Sequence, residues 1–189
     1  MNDVMFSLGG MWFEYNEEKN QSNIKKHGIS FRSAARVFFD YDRIELYDEE
    51  NSLDEDRYDT IGDTSAGTLP VGSTVIGNAK PSNDQINDIL FVVYTERDML
   101  DEGGRKTEVT RLISARLATN FEGCTMVNSI ELNEEMKKEL AFTEEELKEL
   151  ENARKMPITF DEDCPETTPE RAVRFRRVNP GRSTTGAPA

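Results

Sequence analysis

Histidine occurs once in this chain, tryptophan once and cysteine twice. One imidazole and two thiols, Cys124 and Cys164, without metal-ligand spacing give no basis for a metal centre. Two cysteines are also too few for the disulfide scaffold of a small secreted protein. Both read as free thiols, and neither has a neighbouring histidine to activate it. A run of ~18 apolar residues, the length a membrane span needs, is absent, as is the basic-then-apolar opening of a secretory leader. The expectation is a cytoplasmic protein with no membrane contact and no cofactor. Net positive charge is missing too, the formal value being −14. Residues 1–122 hold 13 Lys+Arg against 23 Asp+Glu, and residues 123–189 hold 10 against 14. Neither part is basic, which excludes binding nucleic acid by bulk phosphate neutralisation. Any anion site must be local.

At 189 residues one substantial core is expected, with a smaller appendage. MWFEYN (11–16) reads as a strand. Asn16 is placed to cap a helix running to Gly28, with Glu17 and Glu18 in its first turn and Lys25 and Lys26 in its last, where the helix dipole favours each charge. Ser30 caps a second helix, FRSAARVFFD, with an apolar face of Phe31, Ala34, Ala35 and Phe38. Four strands follow: RIELYDE (43–49), RYDTIGD (57–63), DILFVVYTER (88–97) and EVTRLISARLA (108–118). The continuous apolar run ILFVVY suits a central strand covered on both faces. On the last strand, strict alternation places Arg111, Ile113 and Ala115 on one side, and Leu112, Ser114 and Arg116 on the other. Residues 64–87, rich in Gly, Ser, Thr and Pro, read as an inserted loop or hairpin.

Beyond Cys124 the pattern is helical. Leu132, Met136, Leu140, Leu147 and Leu150 form one stripe, and Thr143 with Glu146 makes a capping box that divides it into two helices. TTPERAVRFRRV reads as a short capped helix carrying Arg171, Arg174, Arg176 and Arg177. Four prolines (157, 165, 169 and 180) argue against a self-sufficient core here, and residues 181–189 read as a disordered tail.

Three clusters carry potential chemistry: Lys25-Lys26-His27 at a helix end, EDR (55–57) entering a strand, and the Arg111 to Arg116 strand. A histidine, a carboxylate and several cations suit RNA cleavage without a metal. A base takes the 2′-hydroxyl proton, cations hold the phosphate, and an acid protonates the leaving oxygen. An unperturbed imidazole, with pKa about 6.5, can take either proton-transfer role. Strand-edge salt bridges are the alternative reading of the same residues.

FEYNEEKNQSNIKKHGISFRSAARVF, followed in order by EDRYDTIG, VVYTER and RLISARLAT, resembles the BrnT family of bacterial type II toxins over residues 11–120. The resemblance implies an α+β, RelE-like toxin fold, with two N-terminal helices packed on a small, mainly antiparallel sheet, and a metal-independent endoribonuclease activity. The family's motif residues fall on Lys19, Asn23, Lys26, His27 and Gly28, on Glu55 and Arg57, and on Ser114 and Arg116. It implies catalytic roles for His27, Glu55, Arg57, Arg116 and Lys26, with His27 and Glu55 moving protons. RNA contacts are expected from Lys19, Asn23, Lys26, Arg111 and Ser114. Gly28 supplies the positive φ that ends the helix. The inserted loop and the glycine of ATNFEGCT depart from the family's pattern.

EEELKELENARKMPITFDEDCPETTPERAVRFRRV is similar to the toxin-facing part of BrnA-type antitoxins, with Met126 placed as the start of a formerly separate reading frame. The expected organisation is therefore a toxin domain over 1–122 and a helical antitoxin-like segment over 123–180. In that segment Asp161, Glu162, Asp163 and Glu166 mimic phosphate. The implied partners are RNA and an antitoxin or the chain's own C-terminal segment, acting within one chain or across a swapped homodimer. No strand followed by two helices remains after Pro180, so operator-DNA binding is not expected. A catalytically inactive toxin-like binding module is the alternative reading.

Overall fold

The computed structural model describes residues 2–64, 89–100, 104, 106–123 and 138–179. The expected insertion lies outside them apart from Thr64, as do Cys124, Leu132, Met136 and the 181–189 tail.

The chain runs β1 (Asp3–Leu8), β2 (Met11–Asn16), α1 (Glu17–His27), α2 (Phe31–Ala34), a 3-10 turn (Ala35–Phe39), β3 (Ile44–Tyr47) and β4 (Arg57–Asp63). After these come β5 (Ile89–Leu100), β6 (Lys106–Leu117), α3 (Asn120–Gly123), α4 (Glu144–Ala153), α5 (Pro169–Ala172) and β7 (Arg176–Arg177). One seven-stranded sheet has the order β1-β2-β6-β5-β4-β3-β7. Every pairing is antiparallel except β2 with β6. The fold is α+β.

β5 occupies the middle of that order, and its two faces enter different cores. Leu90, Val92 and Tyr94 join Phe13, Phe31, Phe38 and other residues on the α1 and α2 side. Phe91 and Val93 join Ile44, Leu46 and Ile61 on the opposite face. This is the doubly covered strand that the apolar run ILFVVY predicts. The second face is closed by Cys164 and Phe175 from the C-terminal segment. The same segment contributes Phe142, Leu150 and Ala153 to the first core.

Local signals account for most element ends. The Asn16 side chain accepts from the Lys19 amide at 3.1 Å, and Gly28 closes α1 at φ 72°, its amide donating to the Ile24 carbonyl. Ser30 caps α2, and Thr143 with Glu146 forms the reciprocal capping box of α4.

Three expectations are corrected. Residues 31–40 are not one α-helix, because the chain tightens to 3-10 geometry from Ala35. Leu147 is exposed rather than part of the buried stripe. The inward positions of α4 include Glu146, which meets the buried Arg36 guanidinium at 3.0 and 3.1 Å, and Glu149, which accepts from the Ser30 amide. Strict alternation on β6 also fails. The register slips at Val93/Tyr94 so that Ile113 is passed over, and Leu112, Ala115 and Leu117 enter the same core. Sequence alternation also missed β1, a short hairpin partner of β2, and β7, a two-residue strand.

Gly28 couples the helix end to the C-terminal segment. A Cβ there would lie 2.9 Å from the Ala153 Cα, at a φ that L-residues adopt at a cost of about 1–2 kcal/mol. Gly28→Ala is expected to lose at least that much, read as a lowered urea midpoint. An unchanged midpoint would show that α4 is not seated against the cap.

Candidate functional site

α1 contains a single aliphatic residue, Ile24, yet it packs on the sheet, and it does so through polar groups. Its buried side chains are Asn20, Asn23 and His27. Asn20 accepts from the Phe31 amide at 2.9 Å. Asn23 accepts from the Ala115 amide at 3.0 Å and donates to the carbonyls of Ala115 at 2.8 Å and Ile29 at 2.7 Å. β2 pairs with β6 only over Trp12 to Glu14, opposite Val109 to Arg111. Beyond that point the Asn23 carboxamide serves the free β6 edge as a neighbouring strand would.

This placement turns Lys19, Lys26 and His27 toward one patch, where β4 adds Arg57 and β6 adds Ser114. The C-terminal segment crosses the patch. Lys26 holds Asp161 at 2.7 Å, and His27 Nε2 lies 3.6 Å from the same carboxylate. Lys19 holds Asp163 at 2.8 Å, with Arg57 at 3.6 Å. A cavity of about 200 Å³ opens between them, lined by Lys19, Asn23, Lys26 and Ser114 of the body and by Asp161 and Asp163 of the segment. A turn fixes the carboxylates: the Cys164 amide donates to Asp161 Oδ1 at 3.0 Å, leaving Oδ2 for Lys26. Glu162 and Glu166, grouped with these aspartates in the sequence reading, are exposed.

His27 is almost wholly buried, and its Nδ1 lies 3.3 Å from the Thr159 hydroxyl. Nε2 has no hydrogen-bond partner among the described residues. Burial lowers its pKa below the ordinary imidazole value, against the pull of Asp161. Burial raises the Asp161 carboxyl, and the Lys26 ammonium outweighs it, so the net shift is downward.

Arg116 is on the segment's side of the sheet, over the Phe91 ring at 4.3 Å and near Phe160 at 5.0 Å. Its guanidinium is forked onto Glu122, both bonds 2.8 Å, and donates to the Pro165 carbonyl at 2.9 Å, while Nε has no partner among the described residues. The residue is 1% exposed, as is Glu122. Burial pushes the Glu122 carboxyl up and the Arg116 guanidinium more than cancels it. Two predicted site residues are engaged elsewhere. Glu55 pairs with Arg97. Arg111 pairs with Glu14 and, at 3.3 Å, with Asp3.

Residues 15–82 match the family model of BrnT, the ribonuclease toxin of type II toxin–antitoxin systems. That stretch is a BrnT toxin domain. It carries Lys19, Lys26, His27 and Arg57, whereas Ser114 and Arg116 lie beyond the match. No curated protein matches the chain. The BrnT match leaves residues 123–180 uncovered, and nothing in the comparisons supports a BrnA-type segment there. No helix among the described residues is long and apolar enough to cross a membrane.

Sequence reasoning missed the groups that fasten the segment to the BrnT domain. Arg171 of α5 reaches Asp59 at 2.6 Å and Asp48 at 3.1 Å, and both carboxylates are buried. Arg36 donates to the carbonyls of Leu140 and Ala141 besides Glu146, and it stacks over Phe142 at 4.0 Å. Glu122 was legible: TNFE (119–122) is a capping box, with Thr119 and Glu122 hydrogen-bonded reciprocally. Cys164 is fully buried, and burial pushes its thiol up to about 12, which fits an inert core residue.

The Arg171 lock is pH-dependent. Burial raises the Asp59 carboxyl to about 6, only partly offset by Arg171. A raised folded-state pKa favours the protonated form, so that contribution is present below the ordinary carboxylate value and is lost as pH rises through about 6. Arg171→Met strands an uncompensated charge at high pH and is expected to cost about 3 kcal/mol at pH 8, and clearly less at pH 5. Urea unfolding at the two pH values reads this. An equal loss at both would show that Asp59 does not titrate in the lock.

Proposed function

We propose that this chain is a metal-independent endoribonuclease of the BrnT type whose own C-terminal segment occupies the RNA site and holds it inactive. The observation that carries the reading is the convergence of Lys19, Lys26, His27 and Arg57 on two carboxylates of one turn, Asp161 and Asp163. In a chain of formal charge −14, four cationic or proton-transferring groups from two elements meet at one spot. Such a cluster is electrostatically costly unless an anion fills it. The BrnT match makes RNA the expected anion. The α+β fold with a mostly antiparallel seven-stranded sheet agrees with a RelE-like fold.

With the segment displaced, Lys26 grips the scissile phosphate. His27 accepts the 2′-hydroxyl proton. O2′ attacks phosphorus, the P–O5′ bond breaks, and the leaving oxygen takes a proton from solvent. Arg116, oriented by Glu122 and released from the Pro165 carbonyl, stabilises the charge that develops on the phosphoryl oxygens. Glu55, held by Arg97, is not assigned the second proton-transfer role. A cognate antitoxin, the usual partner of a type II toxin, would dock where the segment now lies.

The segment supplies core residues, so the test uses the full chain. Asp161→Lys/Asp163→Lys is expected to cleave mixed RNA in the presence of EDTA at least about tenfold faster than the unaltered chain. Adding His27→Ala is expected to remove that activity by about 10²-fold or more. A folded but silent Asp161→Lys/Asp163→Lys chain would favour the inactive binding module.

A further inference from the structure

The two carboxylates in the site are held by different cations. Asp161 is taken by Lys26, with His27 behind it, from the last turn of α1. Asp163 is taken by Lys19 from the first turns of α1 and by Arg57 at the start of β4. Lys19 and Arg57 come from separate elements, and no other acidic side chain is ion-paired with either among the described residues. Asp161 and Asp163 are two residues apart, a separation of roughly 7 Å at most along the chain. Such a bound admits the sugar–phosphate repeat of a nucleic-acid strand.

We infer that the site is two adjacent phosphate subsites: one at Lys26 and His27 for the phosphate that reacts, and a second at Lys19 and Arg57 for its neighbour. The inference rests on the reading that the tail carboxylates stand where substrate phosphates bind, and it extends that reading to the substrate class. The ligand is a nucleotide strand carrying consecutive phosphates, and a single phosphate satisfies only half of the site. Arg57 therefore grips the flanking phosphate and is not among the groups acting on the reacting one. Between the subsites, the wall of Asn23 and Ser114 faces the cavity. Asn23 is occupied by the backbone of Ala115 and Ile29, and the Ser114 hydroxyl donates to its Oδ1 at 3.2 Å, so this wall is held in place between the two cation pairs.

The test is a binding measurement that needs no cleavage. The full chain carrying Asp161→Ala/Asp163→Ala would be titrated with adenosine 3′,5′-bisphosphate, which presents two successive phosphates about one nucleoside, and with the 3′- and 5′-monophosphates. The same titrations in a chain that also carries Arg171→Ala, which loosens the segment, keep steric closure from imitating a missing site. The bisphosphate is expected to bind about tenfold or more tighter than either monophosphate, since a second phosphate adds charge-assisted bonds. Lys19→Ala/Arg57→Ala is expected to erase that advantage. Monophosphate binding without a bisphosphate advantage in both chains overturns the second subsite alone. Failure of every nucleotide to bind in both chains overturns phosphate mimicry itself, and with it the subsites.

Discussion

The arrangement depends first on one carboxamide. Asn23 satisfies the Ala115 amide and carbonyl where β2 has stopped and β6 continues. A helix with almost no apolar face would otherwise have little reason to lie against a sheet edge. The hydrogen bonds fix both the distance and the rotation of α1, because an amide offers one donor side and one acceptor side and Asn23 uses both. Once that rotation is set, residues four before and three or four after Asn23 share its side of the helix. Lys19, Lys26 and His27 are those residues, and the site follows from the helical period.

The C-terminal segment reads the body by charge. Its acidic turn meets the cations of α1 and β4, while its arginines meet the carboxylates around β3 and β4: Arg171 with Asp48 and Asp59, Arg174 with Glu49, Arg177 with Asp42. Opposite polarities in that order fix the register of the segment, since a shift along the sheet would set like charges together. The fit over the site is incomplete in one respect. His27 Nε2 and Arg116 Nε are buried without hydrogen-bond partners among the described residues, whereas buried polar atoms are rarely left so.

Much of this was legible in the sequence. Asn16, Gly28, Ser30 and the Thr143/Glu146 pair mark helix ends through short-range geometry, and each acts as its residue type dictates. The central strand was readable because both its faces are apolar. Lys26, His27 and Arg57 stood in clusters legible from the residues, Lys19 came from the family resemblance, and the four meet in space. Arg111 and Glu55 do not join them, because each has a nearer partner across a strand pairing or hairpin, and such competition depends on register. The β6 bulge was hidden for a related reason: skipping Ile113 is decided by β5, not by anything local to RLISAR. Arg171 was legible only as part of a short capped helix and Arg36 was not singled out, because only the tertiary structure brings carboxylates to them.

The grip of the segment is uneven, and this bears on how RNA would enter. At one end Leu140, Phe142, Leu150 and Ala153 are buried in the main core, and at the other Phe175 closes the second core beside the β7 pairing. Between them, the ion pairs over the site use lysines whose side chains are about half exposed, 51% in both cases. Pairs of that exposure contribute little against water and salt. Fully burying a leucine or phenylalanine, by contrast, contributes about 1.5–3 kcal/mol. The ion pairs over the cations are therefore the least costly contacts of the segment to break, while lifting the turn that carries them also withdraws Cys164 from the second core and the Pro165 carbonyl from Arg116. Because both ends stay docked, the turn that leaves remains at high effective concentration and recloses readily. On the proposed reading, a strand must then fill both cation pairs at once to hold the site open. Consecutive phosphates do this, and isolated small anions do not.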